Sequence, residues 1–162
     1  MIESNLTEVD FALFFNSCCQ VGLLNVNPEV KTVIVNDYDH LMVTIDIENI
    51  NKLIQRTCTI ASALTQQGTI RCKYEYWHGE LIIVIEDTGV GIETDQLPNI
   101  FNAYDRNTKL EEFGTGLDIP IIRALAHMMG GDIEAQSEKG KGTTARITIP
   151  CEATLVEKKH EE

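Results

Sequence analysis

At 162 residues and 43% hydrophobic content, the chain is long enough for a single domain whose core buries roughly 70% of the unfolded surface without covalent staples. A formal net charge of −12 excludes a sequence-independent nucleic-acid role, which needs clustered Lys and Arg, and reads as a solvated acidic surface. The five cysteines lack C-x-x-C spacing and cannot all pair internally, which implies a reducing cytosol; with no signal peptide and no apolar run near the ~18 residues that span a bilayer, no membrane contact is expected of this chain.

Residues 8–20 read as a helix whose apolar face includes Phe11, Phe14 and Phe15, and Cys18 and Cys19 on it read as buried thiols rather than a metal site or redox pair. Lys31 to Val35 and Leu41 to Asp46 read as a strand pair around the polar turn Asn36-Asp37-Tyr38-Asp39, and Ile47 to Leu64 as a helix. Thr69 to Trp77 and Glu80 to Glu86 flank His78-Gly79, the pattern of a hairpin. Leu97 to Phe101 reads as a short helical turn and Asn102 to Phe113 as a polar loop. Leu117 to Met129 then reads as a helix with Leu117, Ile121, Leu125 and Met128 on one face, stopped by Gly130-Gly131. Ile133 to Gln136 and Thr144 to Ile149 close the sheet, and Pro150 ends it. The expected fold is α/β (α+β), a two-layer sandwich with a mixed sheet and helices on one face. The domain is expected to occupy residues 1–151, with 152–162 a charged tail that frays.

Two glycine boxes stand out, Asp87-Thr88-Gly89-Val90-Gly91-Ile92 and Gly114-Thr115-Gly116-Leu117, with the aromatic pair Phe101 and Tyr104 between them. The apolar run Leu81 to Ile85 reads as a buried strand delivering Asp87 to the sheet edge. Gly89 and Gly91 remove side chains where a flat ligand would meet a Cβ, and permit backbone angles other residues avoid. Adenine suits that opening, because its exocyclic amine donates and an ionised Asp only accepts. Gly114 and Gly116 precede a helix, so backbone N–H groups and the positive helix end there can receive phosphate oxygens. His40, His78, His127 and His160 are scattered, without triad or metal-ligand spacing.

The order D-T-G-V-G-I, I-F-N-A-Y-D-R, G-T-G-L-D-I, M-M-G-G-D-I, S-E-K-G-K-G-T-T and I-T-I-P resembles the ATP-binding catalytic domain of sensor histidine kinases. That superfamily is shared with type II topoisomerases, a heat-shock chaperone and mismatch-repair ATPases. The match spans nearly the whole chain: Thr7 to Phe11 resembles the family's opening segment, and Asp46 to Gly68 occupies the place of its first conserved helix. The resemblance implies ATP as ligand, with Asp87, Gly89, Gly91 and Ile92 at the base. Tyr104, Arg106 and Lys109 then belong to a lid over the nucleotide, and Gly114, Thr115, Gly116 and Leu117 approach the phosphates. It also implies that a hydroxyl following Gly140 and Gly142 helps hold the adenine, and Thr143 and Thr144 both qualify. The phosphoacceptor pattern of His, an acidic residue and a downstream Pro is missing, so the partners implied are a histidine-bearing helical dimerisation domain and, indirectly, a response regulator. The location implied is cytoplasmic, including the cytoplasmic part of a membrane sensor.

Departures from the family pattern bear on Mg²⁺. Where the family carries an Asn that binds Mg²⁺, another Asn a turn earlier and a basic residue three positions later, alignment through Ala61, Leu64, Thr65 and Gly68 puts Ile60, Arg56 and Ala63, on one helical stripe facing the nucleotide. Ile60 offers no oxygen ligand. Asp118 stands where the family has Gly, adding a negative charge beside the phosphates or, alternatively, an oxygen donor for the cation. Three functions follow: a sensor-kinase catalytic domain, a degenerate domain that signals by contact, and a stand-alone protein serine kinase of the same superfamily. No catalytic base and no metal ligand is nominated.

Overall fold

A computed structural model describes residues 5–92 and 119–160. Among these residues the elements run β1 (Leu6–Asp10), α1 (Phe11–Gly22), β2 (Val30–Ile34), β3 (Tyr38–Asp46), α2 (Ile47–Leu64), β4 (Gly68–Trp77), β5 (Glu80–Asp87), α3 (Ile119–Met128), β6 (Asp132–Glu138), β7 (Gly142–Pro150) and β8 (Glu152–Lys158). Five strands form a mixed sheet in the order β2-β4-β5-β7-β6, in which only β2 and β4 are parallel, and three form a second, antiparallel sheet, β1-β3-β8. α2 packs on β5 and α3 on β6 and β7, while α1 lies against β3 and α2. The α/β class and the mixed sheet are therefore as expected, and the smaller sheet is an addition.

α2 has the bounds expected of it because its signals are local. Asp46 ends β3 and caps the helix by accepting from the Asn49 N–H at 3.2 Å and the Asn49 side-chain amide at 2.9 Å. Ile50, Leu53, Ile54, Thr57, Cys58, Ala61 and Leu64 form the buried face at helical spacing. The β4–β5 hairpin is equally local: His78 (φ 50°) and Gly79 (φ 79°) both take the left-handed conformations that a two-residue turn of the primed type demands. Along β5, Leu81, Ile83 and Ile85 are buried against the helices.

Four expectations fail, each for a non-local reason. The helix expected over residues 8–20 is preceded by β1, which pairs with β3 from Leu6↔Asp46 to Asp10↔Met42. Asp10 closes that strand and caps α1, accepting from the N–H groups of Ala12 (3.2 Å) and Leu41 (2.9 Å). The expected strand pair does not exist. β2 pairs in parallel with β4 and β3 enters the other sheet, so the polar turn is a crossover; Asn36 anchors it by donating to the Ala12 carbonyl at 2.8 Å and accepting from the Tyr38 N–H and the Tyr74 hydroxyl. Tyr38 and Tyr74 stack at 5.3 Å, joining the two sheets. The expected tail is largely β8, paired with β3 from Thr44↔Glu152 to Tyr38↔Lys158, so the ordered domain runs past 151. Its charged side chains lie on an exposed edge strand, a usual guard against edge-to-edge association. On α3 the buried residues are Ile119, Ile122, Leu125 and Ala126, whereas Ile121 and Met128 are exposed. Apolar residues occupy almost every position there, so spacing alone does not choose the face; Leu117 lies outside the described residues.

Removing β8 should therefore destabilise the domain. Truncation after Cys151 exposes the β3 edge and is expected to lower unfolding stability in urea by about 2 kcal/mol or more, since it deletes a strand rather than a frayed end. An unchanged midpoint would return residues 152–158 to the status of a tail.

Candidate nucleotide-binding site

Asp87 ends β5 and pairs across the sheet with Thr143 of β7. Its side chain is 7% exposed. The Gly89 N–H donates to Asp87 Oδ1 at 2.9 Å, and the Thr143 N–H also favours the carboxylate. Burial outweighs them and pushes the carboxyl up to about 6.

Below Asp87 lies an apolar pocket of about 40 Å³ among α2, β5, α3, β6 and β7, walled by Ile60, Ala61, Leu64, Ile85, Ile92 and Ile122. Thr57 and Thr143 also line it, but the Thr57 hydroxyl is engaged with the Leu53 carbonyl at 2.7 Å and the Thr143 hydroxyl with Ser137 Oγ at 2.8 Å. The acceptor facing this space is thus chiefly Asp87. One carboxylate over an apolar slot suits a flat, mostly apolar group that carries an N–H donor. A larger groove of about 460 Å³ lies between β3, the end of α3 and the β7–β8 junction, remote from Asp87.

The glycine box is shaped mainly by the protein itself. A Cβ on Gly89 would collide with the Leu64 carbonyl, and one on Gly91 (φ +75°) with the Glu138 carbonyl. These glycines are required by chain-on-chain packing, and the positive φ expected of the box is present at Gly91. Val90 closes the contact on both sides: its N–H donates to the Leu64 carbonyl at 3.0 Å and its carbonyl accepts from the Gly140 N–H at 2.7 Å. Ile92 is buried in the pocket wall with its N–H bonded to Ser137 Oγ at 2.7 Å.

Thr143 and Thr144 are separated by the strand pleat. Thr143 shares the pocket with Asp87, whereas Thr144 pairs with Glu86 and points to the opposite face of the sheet. Of the three helix positions read as one stripe, only Ile60 lines the pocket; Arg56 is exposed and Ala63 half-buried. Ile60 packs with Leu64, Ile92 and Ile119 in a separate apolar cluster. Tyr104, Arg106, Lys109, Gly114, Thr115, Gly116, Leu117 and Asp118 lie outside the described residues, as does the short helical turn expected at Leu97 to Phe101.

Two polar groups escaped the sequence reading. Ser137 Oγ ties together Ile92, Gly142 and Thr143, a role set by the β6–β7 register and invisible along the chain. Thr65, the C-cap of α2, is fully buried beside Asp87, where its side chain favours the ionised carboxylate although no well-formed hydrogen bond to its hydroxyl is present.

Residues 33–153 match the family described as Histidine kinase-, DNA gyrase B-, and HSP90-like ATPase, and the chain belongs to that family. Within it, this is the ATP-binding catalytic domain of the sensor histidine kinases. It is 32% identical over 134 residues to the autoinducer 2 sensor kinase/phosphatase LuxQ of Vibrio parahaemolyticus, covering 76% of this chain and 16% of that protein. It is 35% identical over 115 residues to the aerobic respiration control sensor protein ArcB of Escherichia coli, covering 68% and 15%. The chain thus spans only about a sixth of the length of these relatives. Among solved structures, full-length ShkA in complex with AMPPNP superposes with a TM-score of 0.75 at 20% identity, covering 96% of this chain and 33% of that one. The mycobacterial sensor histidine kinase MprB gives 0.74 at 16% identity, covering 93% and 100%. No helix among the described residues is long and apolar enough to cross a membrane.

Because the Asp87 carboxyl titrates near 6 in the folded chain and near 3.8 unfolded, holding it ionised costs stability above about pH 6, and the cost disappears as pH falls towards the unfolded value. Other carboxylates titrate as well, so the informative quantity is wild type compared with Asp87→Asn. That difference should move in favour of wild type by up to about 3 kcal/mol between about pH 7 and about pH 4, measured by urea unfolding. A difference that does not vary with pH would place the carboxylate in water.

Proposed function

We propose that this domain binds ATP with the adenine in the slot under Asp87, the exocyclic amine donating to the ionised carboxylate. In the full-length protein it would present the γ-phosphate to a histidine on a separate helical dimerisation domain, with a response regulator downstream and the whole reaction on the cytoplasmic side. The observation that carries the reading is a buried carboxylate facing an otherwise apolar pocket, in a chain of this family. Thr143, steadied by Ser137, and Thr65 supply the neighbouring hydroxyls. Gly89, Gly91 and Ile92 act by shaping the wall. Tyr104, Arg106 and Lys109 in the lid and the backbone of Gly114, Thr115, Gly116 and Leu117 are assigned to the nucleotide on the family resemblance of their motifs. Phosphoryl transfer of this kind needs positioning and charge stabilisation more than covalent chemistry from the protein.

Mg²⁺ fits poorly with the residues present. Its ligands are oxygens, and Ile60, at the position expected to supply one, is committed to an apolar cluster with Leu64, Ile92 and Ile119. We therefore assign no step to the cation and read the domain as a nucleotide binder with weakened metal dependence.

Titration calorimetry with ADP tests the base site. Asp87→Asn should weaken binding by roughly 1 to 3 kcal/mol, because its carboxamide can set a donor against the adenine amine. Thr65→Val should also weaken it, since it removes a hydroxyl that favours the ionised Asp87 carboxylate. Affinities equal to wild type in both would remove adenine from this pocket.

The metal reading has its own measurement. Wild-type ATP affinity should change by less than about threefold on adding Mg²⁺, and Ile60→Asn with Asp118→Gly should create a dependence of about tenfold or more. Strong Mg²⁺ dependence in the unaltered chain would sink this reading and leave the base site standing.

A further inference from the structure

Cys19 on α1, Cys58 on α2 and Cys72 on β4 come from three separate elements, yet their sulfurs all lie within 4.8 Å of one another. The Cys58 and Cys72 sulfurs are 4.0 Å apart, and all three residues are fully buried in the main core. Neighbouring Cys18 points elsewhere, its thiol on Asn51 Oδ1 at 3.1 Å. Three sulfurs bonded at roughly 2.3 Å to one centre sit roughly 3.5 to 4 Å from each other, so closing the cluster on an ion takes movements of about 1 Å, within reach of small torsional adjustments.

Charge decides which ion fits. The groups acting electrostatically on these thiols are other cysteines, and no cationic side chain is among them. Three thiolates on a monovalent copper ion would leave two uncompensated negative charges in the core, and on zinc one; an uncompensated buried charge is strongly disfavoured. A trivalent pnictogen leaves none. We propose that Cys19, Cys58 and Cys72 form a three-thiol binding site for a trivalent arsenic or antimony oxyacid. For arsenous acid, three As–S bonds replace three As–O bonds, and the three S–H protons leave with the three hydroxyls as three waters. Arsenic stays trivalent, and neutral reactants give a neutral product. The site is independent of the nucleotide reading, since none of the three cysteines lines the pocket under Asp87.

The probe is arsenite added to the intact, reduced chain. Native mass spectrometry should show one arsenic bound with the loss of three hydrogens, accompanied by near-ultraviolet sulfur-to-arsenic absorption that saturates at one equivalent. Cys19→Ala, Cys58→Ala and Cys72→Ala should each weaken binding by about tenfold or more, while Cys18→Ala and Cys151→Ser leave it unchanged. Circular-dichroism melts establish which variants remain folded, and the wild-type mass decides the matter should a core variant fail. Loss of two hydrogens only, dependence on Cys151, or no uptake by the folded chain would overturn the site.

Discussion

The pocket end of the molecule depends on how closely the backbone of residues 87–91 approaches the last turn of α2 and the β6–β7 turn. Val90 bridges the two, donating to Leu64 and accepting from Gly140, and Gly89 and Gly91 are the positions where a side chain would strike a carbonyl. Gly142 is constrained in the same way, since its Cβ would strike the Asp87 carbonyl at φ +116°. Substituting any of these glycines would push apart the walls that hold Asp87 and Thr143 over the slot. The D-x-G-x-G pattern is thus a packing requirement, and the shape of the slot is determined by chain-on-chain contact.

On the adenine reading proposed above, that contact sets folding against binding at Asp87. Burial penalises the ionised carboxylate, and ionisation is what makes it a pure acceptor for an amine. A donor brought by a ligand relieves the penalty, so part of the binding energy is compensation for a cost already present in the free domain. Thr65, beside the carboxylate, offsets part of that penalty by favouring the ionised form. Lowering the pH acts on the two processes in opposite directions: protonation removes the burial cost in the free domain and turns a charged, acceptor-only group into a neutral one that also carries a donor. This coupling separates a binding carboxylate from one that is merely structural, whose pairing would favour folding and ionisation together.

Local signals were legible in the sequence and non-local ones were not. Asp46 followed by an apolar stripe at helical spacing is enough to place α2, and His78-Gly79 is enough to place a hairpin, because capping and positive φ act within a few residues. The partner of β2 is another matter, since Lys31 to Val35 and Leu41 to Asp46 are neighbours in sequence and occupy different sheets. Residues 152–158 carry the composition of a tail, and only the free edge of β3 makes a strand of them. At the site, Asp87 and the glycines were visible as a pattern; the choice of Thr143 over Thr144 needed the β5–β7 register, and Ser137 and Thr65 needed the folded chain. The thiols of Cys19, Cys58 and Cys72 meet only through packing of α1 and α2 against β4.

Ile60 serves the fold through apolar contact at the pocket wall. A polar residue at this position would have to face a cluster of Leu64, Ile92 and Ile119, and would need either water or an ion to satisfy it. With isoleucine the same surface closes as apolar packing between the C-terminal half of α2, the end of the glycine box and the start of α3. Ile92 and Ile119 meet directly in that cluster, which joins the glycine box to the start of α3. A wall that depends on apolar contact can organise the base end of a nucleotide site while contributing nothing to charge neutralisation at the phosphates. On the metal reading proposed above, stability of the pocket and metal dependence would be separable, with Ile60 the residue at which they part.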